Sequence, residues 1–129
     1  MAWEVKLTSG VQAWYLGLEG RDADRVAVML DALSRSGPAL AAPQCKRIRH
    51  SRHHNMKELR SIGGNLRMLF ALDPRRRAIV LVGGDKTDDW KAWYERSIPL
   101  ADRVFDQHLR DLGEEGAWRT GGRSVGRGR

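Results

Sequence analysis

The chain has a single cysteine, Cys45, in 129 residues. It can close no internal disulfide, and it lacks the companion ligands that a zinc site needs. The adjacent His53 and His54 would point to opposite faces of a strand, and no carboxylate cluster stands beside them. No metal site and no cofactor are therefore expected. Long apolar runs are missing too, and none approaches the roughly 20 residues of a membrane-spanning helix. The opening MAWEVKLTSG has neither the basic start nor the apolar stretch of a secretory leader. A cytoplasmic protein with no membrane partner is the expectation. Familiar catalytic signatures are absent as well. No phosphate-binding loop ends in Lys-Ser/Thr, and Gly83-Gly84 is followed by Asp85-Lys86 rather than by a nucleotide-binding fingerprint. Acid is in deficit, with 16 Asp/Glu against 23 Lys/Arg. The resulting net charge of +7 and pI near 10.3 favour a polyanionic partner.

What is present is enough apolar residue, 41%, for one folded domain. Residues 2–7 alternate, with Trp3, Val5 and Leu7 on one side, which predicts a half-buried strand. Thr8 or Ser9 then caps a helix to about Glu19, and a second helix from Asp22 or Asp24 stops at Gly37-Pro38. Residues 38–55 read as loop, with a strand over part of KRIRH. From Met56 the pattern is strand, turn, strand, turn, strand: MKELRS, LRMLFALD and RAIVLVGG, joined by IGGN and DPRR. Short turns between consecutive strands predict an antiparallel meander. Residues 85–112 return to helical spacing, broken or kinked at Pro99. The fold class is therefore α/β (α+β): an N-terminal strand and helical hairpin on a small antiparallel sheet, closed by a C-terminal helix. The domain is expected to span 1–112. Residues 113–129, GEEGAWRTGGRSVGRGR, are expected to form a disordered Gly/Arg-rich basic tail.

Residues 43–60 carry Lys46, Arg47, Arg49, Arg52, Lys57 and Arg60 against the single acid Glu58. Concentrated like charge repels itself unless a polyanion uses it. More telling is Arg67, which interrupts an apolar strand between Leu66 and Met68. The two-residue strand period puts Glu58 and Arg60 on one face. If the strands pair with these faces matched, Glu58, Arg60 and Arg67 converge, and Lys86 follows the third strand closely enough to join them. Guanidinium forks on a rigid sheet with a carboxylate among them suit phosphodiester chemistry.

The order of elements, with MKELR at 56–60, LRMLF at 66–70, AIVLVGG at 78–84 and DKTDDWKAWYERSIPLADRVFDQHL at 85–109, resembles the RelE/ParE/HigB superfamily of bacterial toxins. The last segment is similar to its phage-derived, HigB-like branch, and the resemblance covers about residues 2–112. It implies a RelE-like fold and the toxin of a type II toxin–antitoxin system. The implied activity is a ribosome-dependent endoribonuclease, an mRNA interferase that acts in the A site and inhibits translation. There the ribose 2′-hydroxyl would attack the adjacent phosphate to leave a 2′,3′-cyclic phosphate. The implied alternatives are a ParE-like inhibitor of DNA gyrase and an inactive member that only binds its antitoxin. The implied partners are mRNA, the ribosome and a cognate antitoxin of the helix-turn-helix type. Arg60 and Arg67 match the family's phosphate-holding arginines, and Lys86 its basic residue after the third strand. Tyr94 falls near an aromatic that stacks on a base. Glu58 stands where some members carry lysine, as a residue that orients Arg60 or serves as a base. Lys46, Arg47, Arg49, Arg52 and Lys57 complete the expected RNA-binding set.

Overall fold

The computed structural model describes residues 3–85 and 89–121, with residues 114–121 described as helix backbone only. A five-stranded sheet forms the middle layer. Its strands are β1 (Glu4–Leu7), β2 (Cys45–Arg47), β3 (Met56–Arg60), β4 (Leu66–Leu72) and β5 (Arg77–Asp85), in spatial order β1-β5-β4-β3-β2. β3, β4 and β5 make the expected antiparallel meander. β1 was not placed by sequence. It runs parallel to β5, with Val5 opposite Ala78 and Leu7 opposite Val80.

Two helices cover one face: α1 (Ser9–Leu16) and α2 (Gly20–Ser36). Thr8 caps α1 by accepting a hydrogen bond from the Val11 N–H at 3.4 Å. The α2 stripe Val26, Met29 and Leu33 packs on Leu59, Met68, Phe70 and Val80. Cys45 is part of this core, and burial pushes its thiol up from the ordinary range. α3 (Trp90–Gly121) covers the opposite face, where Trp93, Ile98, Ala101 and Phe105 pack on Met56, Leu69, Ala71, Ile79 and Leu81.

Of the two alternatives at Pro99, the single helix is found: α3 runs through Pro99, which lies on the exposed side, so the missing N–H lies away from the sheet. The helix also continues past Leu112 to Gly121, because GEEGAWRT still contains good helix formers. Of the stretch expected to be tail, 113–121 is described as the end of this helix, and residues 122–129 lie outside the described residues.

Gly83 and Gly84 end β5 for a reason of space. A Cβ on Gly83 would lie 2.4 Å from the Trp14 ring, and one on Gly84 would lie 2.2 Å from Trp93 Nε1. The two glycines admit one tryptophan onto each face of the sheet. Gly84 is also the cross-strand partner of Arg67, so Trp93 is seated beside that arginine.

Candidate nucleic-acid site

β3 and β4 pair with Arg60 opposite Arg67 and Glu58 opposite Leu69. The matched faces bring Glu58, Arg60 and Arg67 together on the α3 side of the sheet, beside Met56 and Leu69 of that core. Glu58 is only 1% exposed. Its Oε1 accepts from Arg60 Nε at 2.9 Å and lies 3.8 Å from Arg67 Nε. That hydrogen bond holds the Arg60 guanidinium above its ordinary value, although burial opposes it.

Arg67 is buried, at 8% exposure, and its Nη1 donates to the Leu66 carbonyl at 2.9 Å and the Gly64 carbonyl at 3.4 Å. The β3–β4 turn thereby fixes the guanidinium. Tyr94 reaches in from α3. Burial, and the Glu58 carboxylate that its hydroxyl faces, push the phenol up to about 12, against the opposing pull of Arg67. It therefore keeps its proton near neutrality. Glu58 Oε2 and Arg67 Nε are both buried and make no hydrogen bond of ordinary geometry among the described residues.

Above this floor lies an open groove of about 700 Å³. Lys46, Arg47, Arg49 and His50 line one wall, and Trp90, Lys91 and Tyr94 line the other. Lys46 is the cross-strand partner of Glu58 and shares its face. Trp90 is 59% exposed, with its ring 6.2 Å edge-on from Tyr94. Sequence reading missed Trp90 and Lys91. The i, i+4 spacing of Trp90 and Tyr94 on a helix was the signal that pointed to a shared wall.

Two members of the expected RNA-binding set are elsewhere. Lys57 points to the opposite face, with Cys45, Leu59 and its cross-strand partner Arg47, by the same two-residue period that unites Glu58 and Arg60; Arg47 still borders the groove from the end of β2. Arg52 is drawn to α3, where its guanidinium pairs with Asp106 and its backbone N–H donates to Asp102 Oδ2 at 3.1 Å. His53 Nε2 lies 2.7 Å from Asp106 Oδ1, and the His53 ring meets Phe105 edge-on. These contacts hold Asp106 below the usual carboxylate range, the His53 bond first among the causes that lower it. The basic loop is thus clamped at 51–53, with the paired Arg52 still 58% exposed beside Lys46, Arg47 and Arg49. Lys86 lies outside the described residues.

A second polar knot also escaped sequence reading. The buried Asp73 accepts from the Arg75 and Arg77 N–H groups at 2.9 and 3.0 Å, from Arg77 Nε at 3.0 Å, and faces His108 Nε2 at 2.8 Å. It ties the β4–β5 turn to α3. Among the described residues, no group of three or more His, Cys, Asp or Glu is arranged to hold a metal ion. No helix among them is long and apolar enough to cross a membrane.

Comparisons with known proteins bear on the family and the fold. The family described as Phage derived protein Gp49-like (DUF891) matches residues 13–106. HigB3 of Mycobacterium tuberculosis, which carries a toxin's name, is 43% identical over 105 residues, 81% of this chain and 92% of HigB3. HigB2 of the same organism, named likewise, is 43% identical over 102 residues, 77% of this chain and 51% of HigB2, so the chain spans about half of that relative. Among solved structures, a mutant of the Escherichia coli toxin RelE in the free state superposes with a TM-score of 0.58 at 11% identity, covering 77% of this chain and 97% of that one. A chain of the toxin–antitoxin complex RelBE2 from M. tuberculosis gives 0.52 at 18% identity, covering 66% and 99%. At those identities the structural likeness speaks for the fold. The chain belongs to the phage-derived Gp49-like family, is similar to relatives named as HigB toxins, and has a fold like that of the RelE structures.

Proposed function

We propose that this toxin is a ribosome-dependent mRNA endoribonuclease whose reaction runs at Glu58, Arg60, Arg67 and Tyr94. The observation that carries the reading is the buried Glu58 carboxylate with Arg60 Nε at 2.9 Å and Arg67 Nε at 3.8 Å from its Oε1, at the floor of a basic groove. An acceptor beside a guanidinium donor is what a ribose 2′-hydroxyl next to a phosphate requires.

In this reading Glu58 Oε2 takes the 2′-hydroxyl proton as the oxygen attacks phosphorus. Arg67 and Arg60 hold the non-bridging oxygens, where negative charge grows. The 2′-O–P bond forms, the P–O5′ bond breaks, and the 5′-oxygen leaves with a proton. Tyr94, which stays protonated at neutral pH, is placed to donate a hydrogen bond to that developing charge. Lys86 is the sequence-based candidate for the proton on the leaving oxygen. Arg67, anchored by two carbonyls, needs no rearrangement to act. Lys46, Arg47, Arg49 and Lys91 supply the salt-sensitive attraction that draws in RNA. The relatives named as toxins and the RelBE2 complex support a neutralising antitoxin as the protein partner, expected to be of the helix-turn-helix type.

The test is to induce the chain in growing cells and map RNA ends with and without translation. Cuts within translated codons that vanish when initiation is blocked are the expected result. Intact transcripts with accumulating DNA breaks would instead establish a gyrase poison, and intact transcripts with undisturbed growth an inactive antitoxin-binding member.

A further inference from the structure

β2 ends at Arg47, and its pairing with β3 is prolonged by one hydrogen bond, from the Ile48 N–H to the Met56 carbonyl at 3.1 Å. Ile48 is itself buried in the α3-side core. Beyond it the chain leaves the sheet and rejoins it at Met56, so residues 49–55 form the tip of the β2–β3 hairpin. The tip divides two cationic grooves. Arg49 and His50 line the RNA groove, and Arg49, Arg52 and His54 line a second groove of about 570 Å³ with no acid among its lining residues.

Like charges this close repel one another, and a short loop that carries them needs an anchor. The anchor is acid supplied by α3. Asp102 is 3% exposed and gives one carboxylate oxygen to the Ser51 hydroxyl and the other to the Arg52 backbone N–H, at 3.1 Å. Ser51 Oγ in turn accepts from the His53 N–H at 2.9 Å. One turn along α3, Asp106 takes the Arg52 guanidinium and the His53 ring. Burying a carboxylate costs free energy, and an apolar side chain of similar volume would pack α3 on the sheet at least as well. Asp102 also sets a negative charge beside a surface that attracts a polyanion. Both disadvantages make sense if its role is to place the tip. Arg49 and His50 then lie between two fixed points, the buried Ile48 and the clamped Ser51.

We propose that Asp102 is a positioning residue of the RNA groove. Through the Ser51 hydroxyl and the Arg52 backbone it holds Arg49 and His50 opposite the Trp90–Tyr94 wall, at the spacing an RNA strand meets between them. Asp102 touches no substrate. It acts on affinity and leaves bond-breaking to Glu58, Arg60 and Arg67, which β3 and β4 hold by their own pairing. This role belongs to the proposed RNA site and does not depend on its cleavage step.

The test titrates the full-length chain in two assays: single-turnover cleavage on programmed ribosomes, and fluorescence anisotropy of a labelled 12-nucleotide single-stranded RNA. Asp102→Ala and Ser51→Ala are expected to raise the half-saturating concentration in both by about five- to tenfold, because the loop must then be ordered by the RNA itself. The plateau cleavage rate is expected to stay within about twofold, the mark of lost binding rather than lost transition-state contact. Ser51→Thr, which keeps the hydroxyl, should restore affinity. In an Arg49→Ala, His50→Ala background, Asp102→Ala should cost little more, because the side chains it positions are gone. Ser51→Ala removes a single hydroxyl from a half-buried site and decides the matter if Asp102→Ala does not fold. Unchanged affinity in the folded variants overturns the proposal. So does a full further loss in the Arg49→Ala, His50→Ala background, or a fall in plateau rate at unchanged affinity. A wild type that binds RNA without ever cleaving it fails the ribonuclease reading, and anisotropy alone then decides the role of Asp102. A wild type without RNA affinity overturns both.

Discussion

Replacing Glu58 by Gln changes one atom type at the centre of the cluster. The amide keeps an acceptor for Arg60 Nε, now 2.9 Å away, but it removes the charge that faces Arg67 Nε at 3.8 Å. It also replaces Oε2 by an NH₂ group that cannot accept a proton. Removing one partner of a buried ion pair costs about 3–5 kcal/mol. Here that is an upper bound, because the Arg60 side chain is 32% exposed and water can solvate part of what is left. A loss of about 2–3 kcal/mol is expected, which for a domain of this size lowers the melting temperature by roughly 6–12 °C. The catalytic loss is expected to be larger in kind: about 10²–10⁴-fold, the scale of removing a general base. Single-turnover cleavage on programmed ribosomes, measured from acid to alkaline pH at a temperature where the variant is folded, separates two roles. A general base predicts that the acidic limb of the pH–rate profile disappears with the rate. A folded Glu58→Gln variant that cleaves only a few-fold slower, with a profile parallel to the wild type, would refute the general-base step and leave Glu58 as a residue that positions Arg60.

Tyr94→Phe is expected to slow cleavage about tenfold, since one hydrogen bond to developing charge is lost, while RNA affinity measured by filter binding holds. Its pH–rate profile should match the wild type below pH 9, because a phenol at about 12 does not titrate there. Asp73→Asn is expected to cost about 3–5 kcal/mol in urea melts at neutral pH. Burial alone would raise the Asp73 carboxyl, but hydrogen bonds from His108 and Arg77 outweigh it and hold the carboxyl below its ordinary value. The stability it contributes is thus complete above its unfolded value of about 3.9 and lost as pH falls through the depressed folded value. Melting curves of the variant should therefore be flatter than wild type in that acidic window. Truncation after Gly113 is expected to leave the melting temperature within a few degrees, since Leu109 is the last α3 residue packed against the described cores.

The meander and its site were readable because both depend on short-range periodicity. The two-residue strand period put Glu58 and Arg60 on one face and made their meeting with Arg67 conditional on the register, which sets Arg60 across from Arg67. The same period, applied to Lys57, places it on the far face; grouping residues 43–60 by charge hid that. Contacts that join distant segments were not readable. Arg52 meets Asp106, and Asp73 meets His108, only after α3 has folded back across the sheet. The parallel pairing of β1 with β5 depends on the α1–α2 hairpin carrying the chain across a face, which no local pattern encodes. Trp90 escaped sequence reading, because helical spacing alone does not say which ring stays exposed over a groove. Pro99 left a kinked helix and two helices both open, because its missing N–H was weighed without the apolar stripe Trp93, Ile98, Ala101 and Phe105, which binds the helix to the sheet on both sides of it.

The central claim is that the guanidinium at Arg67 stabilises the transition state of RNA cleavage from a fixed position in the sheet. The direct measurement is single-turnover cleavage of an A-site codon at saturating toxin, comparing the wild type with Arg67→Ala and Arg67→Lys. The expected result is a loss of about 10²–10³-fold for alanine, with an incomplete recovery for lysine, whose ammonium lacks the planar fork. Ribosome binding should change little, and circular dichroism should show both variants folded at the assay temperature. A folded Arg67→Ala chain that cleaves at the wild-type rate would contradict the account.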